Sequence, residues 1–391
     1  MNKNAYARAP GKVLWLGSYS LLERPNTGFI TTVDSYVHAK VAATETNEVR
    51  IEVPQFPITS VGTIDRATGA ILMEVPVEIR LLHTAMEVGT RYFSALGLKL
   101  TGFTVTTEND PAMLYKIGGK EGREVSKSGL GSSAAVTVAA MAALFKLFEV
   151  DPHKDDALHK LSQLSHSLAT GKTGSGFDVA AAVHGSIVYI RYSPEITSGF
   201  PKAYTGRDLI DLVARKWDYS ITRMPLPLMF TSLFASFAGE AAITTSYIEK
   251  IRAFKACDPN EYARVITDIN ESTQAAIAAL RKINEGEEIE KNLAAFGQAF
   301  ELGRRHTKQL GVLCGADIES DQSTDLIEDS KKHGAFVSKL PGAGGRDSIG
   351  ALCTDAKARQ NLRSFWKTRS ELELLQIETT NNGYIVGKKG D

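Results

Sequence analysis

Lys127–Ala135 reads KSGLGSSAA and runs directly into VTVAAMAALFKLFEV, Val136–Val150. From Ser132 onward the segment is apolar on nearly every side, which predicts a largely buried helix beginning just after Gly131. Glycines ahead of a helix leave backbone N–H groups exposed at its positive end, where they can cradle a phosphate chain. Ser132 and Ser133 add hydroxyls able to cap the helix, bond phosphate oxygens or ligate magnesium. From these residues alone two readings stay open: a phosphate cradle, or a plain serine cap after a loop.

Two other glycine patterns overlap this region and fail. Gly129, Gly131 and Ala134 satisfy GxGxxG/A, with Glu149 about 20 residues on, but a dinucleotide turn follows a buried apolar strand and here EVSKS precedes it. Gly171, Lys172 and Thr173 look like the end of a Walker A loop, yet His166 stands where its first glycine is required.

Outward from the centre, Tyr6–Thr107 reads as strands and turns: VLWL, FITTVDSYVHAKVAA, VRIEV, AILMEV and GFTVTT are rich in β-branched and aromatic residues. One helix, Glu78–Leu96, interrupts them at helical spacing. On the other side, a helix over Lys154–Thr170 leads to the turn GKTGSG, then FDVAAAVHG and the strand SIVYIRY. Composition turns mixed between Tyr192 and Tyr219, which places a boundary between domains 1–215 and 216–391. Beyond it come a strand in PLMFTSLF, helices over Thr244–Ala256, Asn260–Ile283 and Lys291–Leu310, a strand in AFVSKL, the turn PGAGGRDS and a helix near Asp355–Ser370. Strands, helices and strands in this order indicate α+β.

A chain of 391 residues is too long for one ordinary core. Lys plus Arg balances Asp plus Glu at 45 each, so no global field draws nucleic acid or an anionic membrane, and any anion site must be built locally. The longest apolar run, Ala134–Phe145, is too short for a bilayer. The N-terminus lacks a cleavage pattern, and Cys257, Cys314 and Cys353 are scattered as in a reducing compartment, where they read as small buried residues. The expected location is cytoplasmic. The histidines show no metal spacing and read as structural.

PGKVLWLGSYSLLE, KSGLGSSAAVTVAA and KLPGAGGRDSIGAL stand in the order of the three motifs of the GHMP kinases, and the chain resembles that superfamily from Ala9 to about Leu352. GKTGSGFDVAAAVHGSIVYIRY, together with VPQF at Val53–Phe56, is similar to segments of the eukaryotic-type phosphomevalonate kinases. The resemblance implies a two-domain GHMP kinase fold, with a ribosomal-protein-like N-terminal domain, a ferredoxin-like C-terminal domain and the active site between them. It implies ATP and Mg2+ as cofactors and 5-phosphomevalonate as substrate; a homodimer is compatible with the sequence, which does not fix the oligomeric state. Another GHMP enzyme, mevalonate kinase or diphosphomevalonate decarboxylase, is the nearest alternative. A nicotinamide-dependent oxidoreductase built on the GLGSSA turn is the alternative from another class.

By the same resemblance, Lys127, Ser128, Gly129, Leu130, Gly131, Ser132, Ser133 and Ala134 wrap the ATP phosphates, with Ser133 the metal ligand. Lys12 and Asp178 form the catalytic pair. An ammonium beside the transferring group offsets charge on its oxygens. A phosphate monoester is largely dianionic at pH 7, so Asp178 is expected to orient Lys12 and the acceptor more than to remove a proton. Ser18, Tyr19, Lys172, Ser175, Gly176, Thr244, Thr245, Gly342, Ala343, Gly344, Gly345 and Asp347 are the expected substrate contacts. Arg191 and His166 are further candidates for local positive charge. Ser18 and Tyr19 depart from the Glu-His of mevalonate kinases. Arg346 departs from the family glycine and is expected to face solvent. No acid stands in LSHSLATGK, where mevalonate kinases carry a magnesium-binding glutamate.

Overall fold

Two long strands, β1 (Asn4–Leu16) and β2 (Thr27–Ala43), pair antiparallel along most of their length and found the N-terminal sheet. They belong to a computed structural model that describes residues 3–55, 58–113, 116–118, 124–126, 129–171, 174–237 and 244–387. β2 is the hub, pairing also with β6 (Phe103–Asn109) and β9 (Ile187–Ile190). The sheet grows outward through β3 (Glu48–Val53), parallel to β6, and through β4 (Ile58–Ile64) and β5 (Ile71–Leu72). A separate hairpin joins β7 (Lys116–Gly118) to β8 (Glu124–Ser126).

Helices α1 (Arg80–Ala95), α2 (Ser132–Leu147), α3 (Ala157–Thr170) and α4 (Phe177–His184) cover this sheet, with α2 against β1 and β2. The alanines of α2 explain the close fit. Ala134, Ala135, Ala139, Ala140 and Ala143 are fully buried, and short side chains let a helix lie near a sheet and touch helices on its other sides. Two short helices, α5 (Glu195–Ser198) and α6 (Gly206–Ala214), complete the layer, α6 starting with a Thr205–Asp208 capping box.

The C-terminal sheet has the order β12 (Val337–Lys339), β13 (Ser348–Cys353), β11 (Thr231–Phe237), β14 (Leu372–Leu375), all antiparallel. α7 (Thr244–Cys257), α8 (Pro259–Asn284), α9 (Ile289–Cys314) and α10 (Asp321–Lys332) lie between β11 and β12, and α11 (Ala356–Lys367) between β13 and β14. Numbered along the domain, the strands run 2-3-1-4 with helical crossovers, which is the ferredoxin-like arrangement. The α+β expectation therefore holds for both halves.

The sheets refine the reading of the sequence. AILMEV contributes only the two residues of β5. α10 was not legible because DQSTDLIEDSKK is polar nearly throughout; Leu326 and Ile327 are its large buried apolar anchors. β10 (Ser220–Arg223) extends the N-terminal sheet past residue 215. β15 (Thr379–Thr380) and β16 (Ile385–Gly387) bring the end of the chain back to it. We therefore propose a division between Arg223 and Thr231, with the last strands belonging to the first domain. Among the cysteines, Cys353 is buried and Cys257 exposed, so the small-core reading holds for the former only.

Candidate active site

β1 places Lys12 by a shift in register. The pairing with β2 slips between Pro10 and Gly11, a bulge that re-aims the following side chain. Gly11 has no room for a Cβ, which would meet the Leu130 carbonyl oxygen at 3.2 Å and Met113 Sδ at 2.8 Å. Lys12 is then tied twice to the glycine–serine loop: its backbone N–H donates to the Leu130 carbonyl at 2.8 Å, and Nζ donates to the Gly129 carbonyl at 2.8 Å. Gly131 completes the fit. It sits at φ +81°, and a Cβ there would meet Lys12 Cε at 2.9 Å.

The start of α2 bears on one of the two readings left open by the sequence. Gly131 is the N-cap residue and, as a glycine, supplies no side-chain cap of its own. Ser132 and Ser133 occupy the first two helical positions, so a plain serine cap is excluded. The amides of Ala134 and Ala135 bond the Gly131 carbonyl within the turn. Ser133 Oγ lies 3.3 Å from His166 Nε2, which brings α3 to the mouth of α2.

Asp178 is the second residue of α4, whose N-cap is Gly176 in the left-handed region. Its Oδ1 accepts from the Val179 N–H at 2.9 Å, so it also braces the first turn. Lys12 Nζ sits 5.4 Å from the centre of the neighbouring Phe177 ring. Burial drives the Lys12 pKa below its ordinary value, while the carboxylates of Asp178 and Asp347 oppose that shift by favouring the ammonium. Asp347 also stands beside the loop, its Cβ 3.6 Å from where a Gly129 side chain would begin. Lys12, Asp178, Asp347 and the entrance to α2 thus form one constellation.

The C-terminal glycine turn closes it from the other domain. Tyr19 OH donates to the Ala343 carbonyl at 2.6 Å, and burial raises the Tyr19 phenol well above its usual range. Ser18, the residue before it, has φ +41°, an unusual conformation for a non-glycine. Gly344 and Gly345 are buried. Their amides bond the carbonyls of Pro341 (3.3 Å) and Ile318 (2.8 Å), so they shape the turn and do not offer donors to substrate. That narrows the expected contacts of the turn to Gly342, Ala343 and Asp347. Arg346 is exposed, 5.0 Å over the Phe237 ring and 3.2 Å from Gln322 Oε1, as expected of a solvent-facing residue.

Arg191 has a different task from the one expected of it. It is buried, and its guanidinium donates to the carbonyls of Leu22 (3.0 Å), Gly174 (2.8 Å) and Tyr192 (3.3 Å). It holds backbone and does not present charge to a ligand. Lys127, Ser128 and Lys172 lie outside the described residues. Thr244 and Thr245 open α7, and their side chains are likewise outside the description.

Spacing in the sequence concealed one cluster. Asp156, His159 and His184 bring ligand-type atoms within 4.8 Å of one another. Asp156 Oδ2 already accepts from His159 Nδ1 at 2.8 Å and from the Tyr219 hydroxyl. Hydrogen bonding thus accounts for Asp156 and His159, whereas His184 Nε2, 3.8 Å from Asp156 Oδ1, is buried without a hydrogen-bond partner among the described residues. The signal was present as a polar stripe on a buried helix: His159, Gln163 and His166 follow at i, i+4 and i+7 along α3.

Comparison with known proteins identifies the family. Residues 83–186 match the GHMP kinases N terminal domain and residues 276–371 match GHMP kinases C terminal, together just over half of the chain. The chain belongs to the GHMP kinases. Phosphomevalonate kinase, peroxisomal, of Arabidopsis thaliana is 27% identical over 95% of this chain and 94% of its own length. Phosphomevalonate kinase of Saccharolobus solfataricus is 27% identical over 92% and 93%. In fold, the chain superposes on Streptococcus pneumoniae phosphomevalonate kinase in complex with phosphomevalonate and AMPPNP with a TM-score of 0.75, at 22% identity, covering 96% of this chain and 99% of that one. No helix among the described residues is long and apolar enough to cross a membrane.

Proposed function

We propose that this protein transfers the γ-phosphoryl group of ATP to the phosphate of (R)-5-phosphomevalonate, giving 5-diphosphomevalonate and ADP in isoprenoid precursor synthesis. The observation that carries the reading is the meeting of Lys12, Asp178 and the glycine-capped entrance of α2 in one place. The relatives named phosphomevalonate kinase, matched nearly end to end, favour this acceptor over mevalonate or its diphosphate. A nicotinamide enzyme is disfavoured because β8, the strand before the loop, lies in a two-stranded antiparallel sheet with β7 and not in a parallel sheet, and β2 is flanked by antiparallel neighbours.

Gly129, Leu130, Gly131, Ser132, Ser133 and Ala134 line the triphosphate, with Lys127 and Ser128 at the entry to the loop. Lys12, anchored on Gly129, faces the transferring group and offsets charge on its equatorial oxygens. Asp178 holds the Lys12 ammonium and the acceptor in line. It need not remove a proton, because the acceptor phosphate has a second pKa near 6. Ser18, Tyr19, Ser175, Gly176, Lys172, Thr244, Thr245, Gly342, Ala343 and Asp347 surround the acceptor. The donor set of Ser133 hydroxyl and Asp178 carboxylate suits a hard cation, and magnesium held there would neutralise phosphate charge. Catalysis is positioning plus electrostatics, with no covalent enzyme intermediate.

An ADP-coupled assay with mevalonate, 5-phosphomevalonate and 5-diphosphomevalonate tests the assignment. ATP-dependent turnover is expected with the monophosphate alone. Turnover with either other acceptor in preference would replace the substrate while keeping the class.

A further inference from the structure

The turn just before Asp178 is held by three buried side chains acting on three consecutive carbonyls. Arg191 Nη2 donates to Gly174 O at 2.8 Å, Tyr189 OH to Ser175 O at 3.0 Å, and Gln163 Nε2 to Gly176 O at 2.7 Å. Gln163 is 2% exposed. Its contact falls on the N-cap of α4, two residues before the catalytic carboxylate. A side chain at Gly176 would collide with Gln163 Oε1 at 2.6 Å and Tyr192 Cε1 at 2.9 Å, so turn and glutamine fit as one piece.

The chain of hydrogen bonds behind Gln163 fixes its amide. Asp156 accepts from His159 Nδ1 at 2.8 Å, so the proton of this fully buried imidazole sits on Nδ1. Its Nε2 is then an acceptor, 3.0 Å from Gln163 Nε2. Gln163 Nε2 therefore serves both His159 and the Gly176 carbonyl, while Oε1 faces the Tyr192 hydroxyl at 3.4 Å. A reversed amide would point oxygen at oxygen at Gly176. Asp156 itself is held in the left-handed region at φ +55°, aimed at His159 and the Tyr219 hydroxyl. Although burial alone would raise it, the bonds from His159 and Tyr219 bring its carboxyl down to about 2, so it remains an acceptor near neutrality.

We propose that His159 and Gln163 are positioning residues of the phosphoryl transfer, acting through the Gly176 carbonyl to set the angle at which α4 presents Asp178. The inference rests on the catalytic assignment of Asp178. A displacement of about 1 Å at a reacting group can cost on the order of 10²-fold in rate.

The test is a double-mutant cycle. Gln163→Leu removes both donations; Gln163→Glu keeps the shape and removes the donor to Gly176. Each is expected to lower kcat between about tenfold and a hundredfold, with KM for ATP within about twofold. Added to Asp178→Asn, either is expected to cost little more, because both losses pass through one carboxylate. His159→Gln can donate to Asp156 and accept from Gln163, and should keep kcat within about threefold, whereas His159→Leu should lose it. Wild-type kcat in Gln163→Leu or Gln163→Glu would overturn the inference, as would losses that multiply with that of Asp178→Asn or failure of His159→Gln to restore turnover. Should Asp178→Asn itself retain full activity, the catalytic assignment fails first, which the same cycle distinguishes.

Discussion

In the proposed reaction Lys12 is the residue on which the chemistry turns, and its surroundings make a definite demand. An ammonium that gives up water is compensated here by one carbonyl, on Gly129, and by the carboxylates of Asp178 and Asp347. Lys12→Met removes the charge but keeps the length, and kcat is expected to fall by about 10²–10³-fold, as for loss of one preorganised group stabilising transition-state charge. Thermal unfolding checks that the fold survives. Asp178→Asn separates orientation from proton removal: turnover should fall while the shape of the kcat–pH profile is retained. Loss of an acidic limb together with nearly all activity would make Asp178 a base. Lys12, Asp178 and Ser133 could be nominated because their segments resemble the family motifs, and the structure brings Lys12 and Asp178 together. His159 and Gln163 could not be nominated, since a buried polar side chain on a helix reads like any interrupted apolar face until its partners in space are known.

Among the elements, the turn into α2 concentrates the constraint. Gly131 combines positive φ with contact against Lys12. Gly131→Ala adds a left-handed penalty of about 1–2 kcal/mol and crowds the Lys12 stem. Urea unfolding should show at least that loss, and KM for ATP should rise. An unchanged midpoint would mean that the loop does not hold this conformation in solution. The α2 helix itself was readable because an all-round apolar alanine-rich run has one plausible place, between a sheet and other helices. α10 was hidden because its burial rests on two large apolar side chains, and β15 and β16 because they are short and take their pairing from strands far away in sequence.

For the molecule as a whole, the two sheets are joined at the site. Trp15 of β1 packs against Phe234 of β11 with ring centres 5.8 Å apart. Lys339 of β12 donates to the Trp15 carbonyl at 3.1 Å. Burial pushes the Lys339 ammonium down to about 8, with Glu319 opposing. Unfolded, a lysine keeps its proton to roughly pH 10.4, so between about pH 8 and 10 the unfolded chain binds more protons and this group's contribution to stability rises with pH. Relative to Lys339→Met, the wild type should gain up to about 3 kcal/mol across that window in urea titrations. A constant difference would place Lys339 in contact with water. The three-motif order pointed to a two-domain fold, but not to the return of the last strands of the chain to the first sheet.

In the proposed reaction, Lys12 and Asp178, at the mouth of α2, assist direct transfer of a phosphoryl group from ATP to a phosphate oxygen of the acceptor. Phosphorus NMR of the product made from ATP and 5-phosphomevalonate tests it most directly. A pair of coupled diphosphate resonances on the acceptor is expected, appearing with ADP and nearly abolished in Lys12→Met. An acceptor left as the monophosphate while ATP is consumed, or a diphosphate formed at wild-type rate without the Lys12 ammonium, would contradict it.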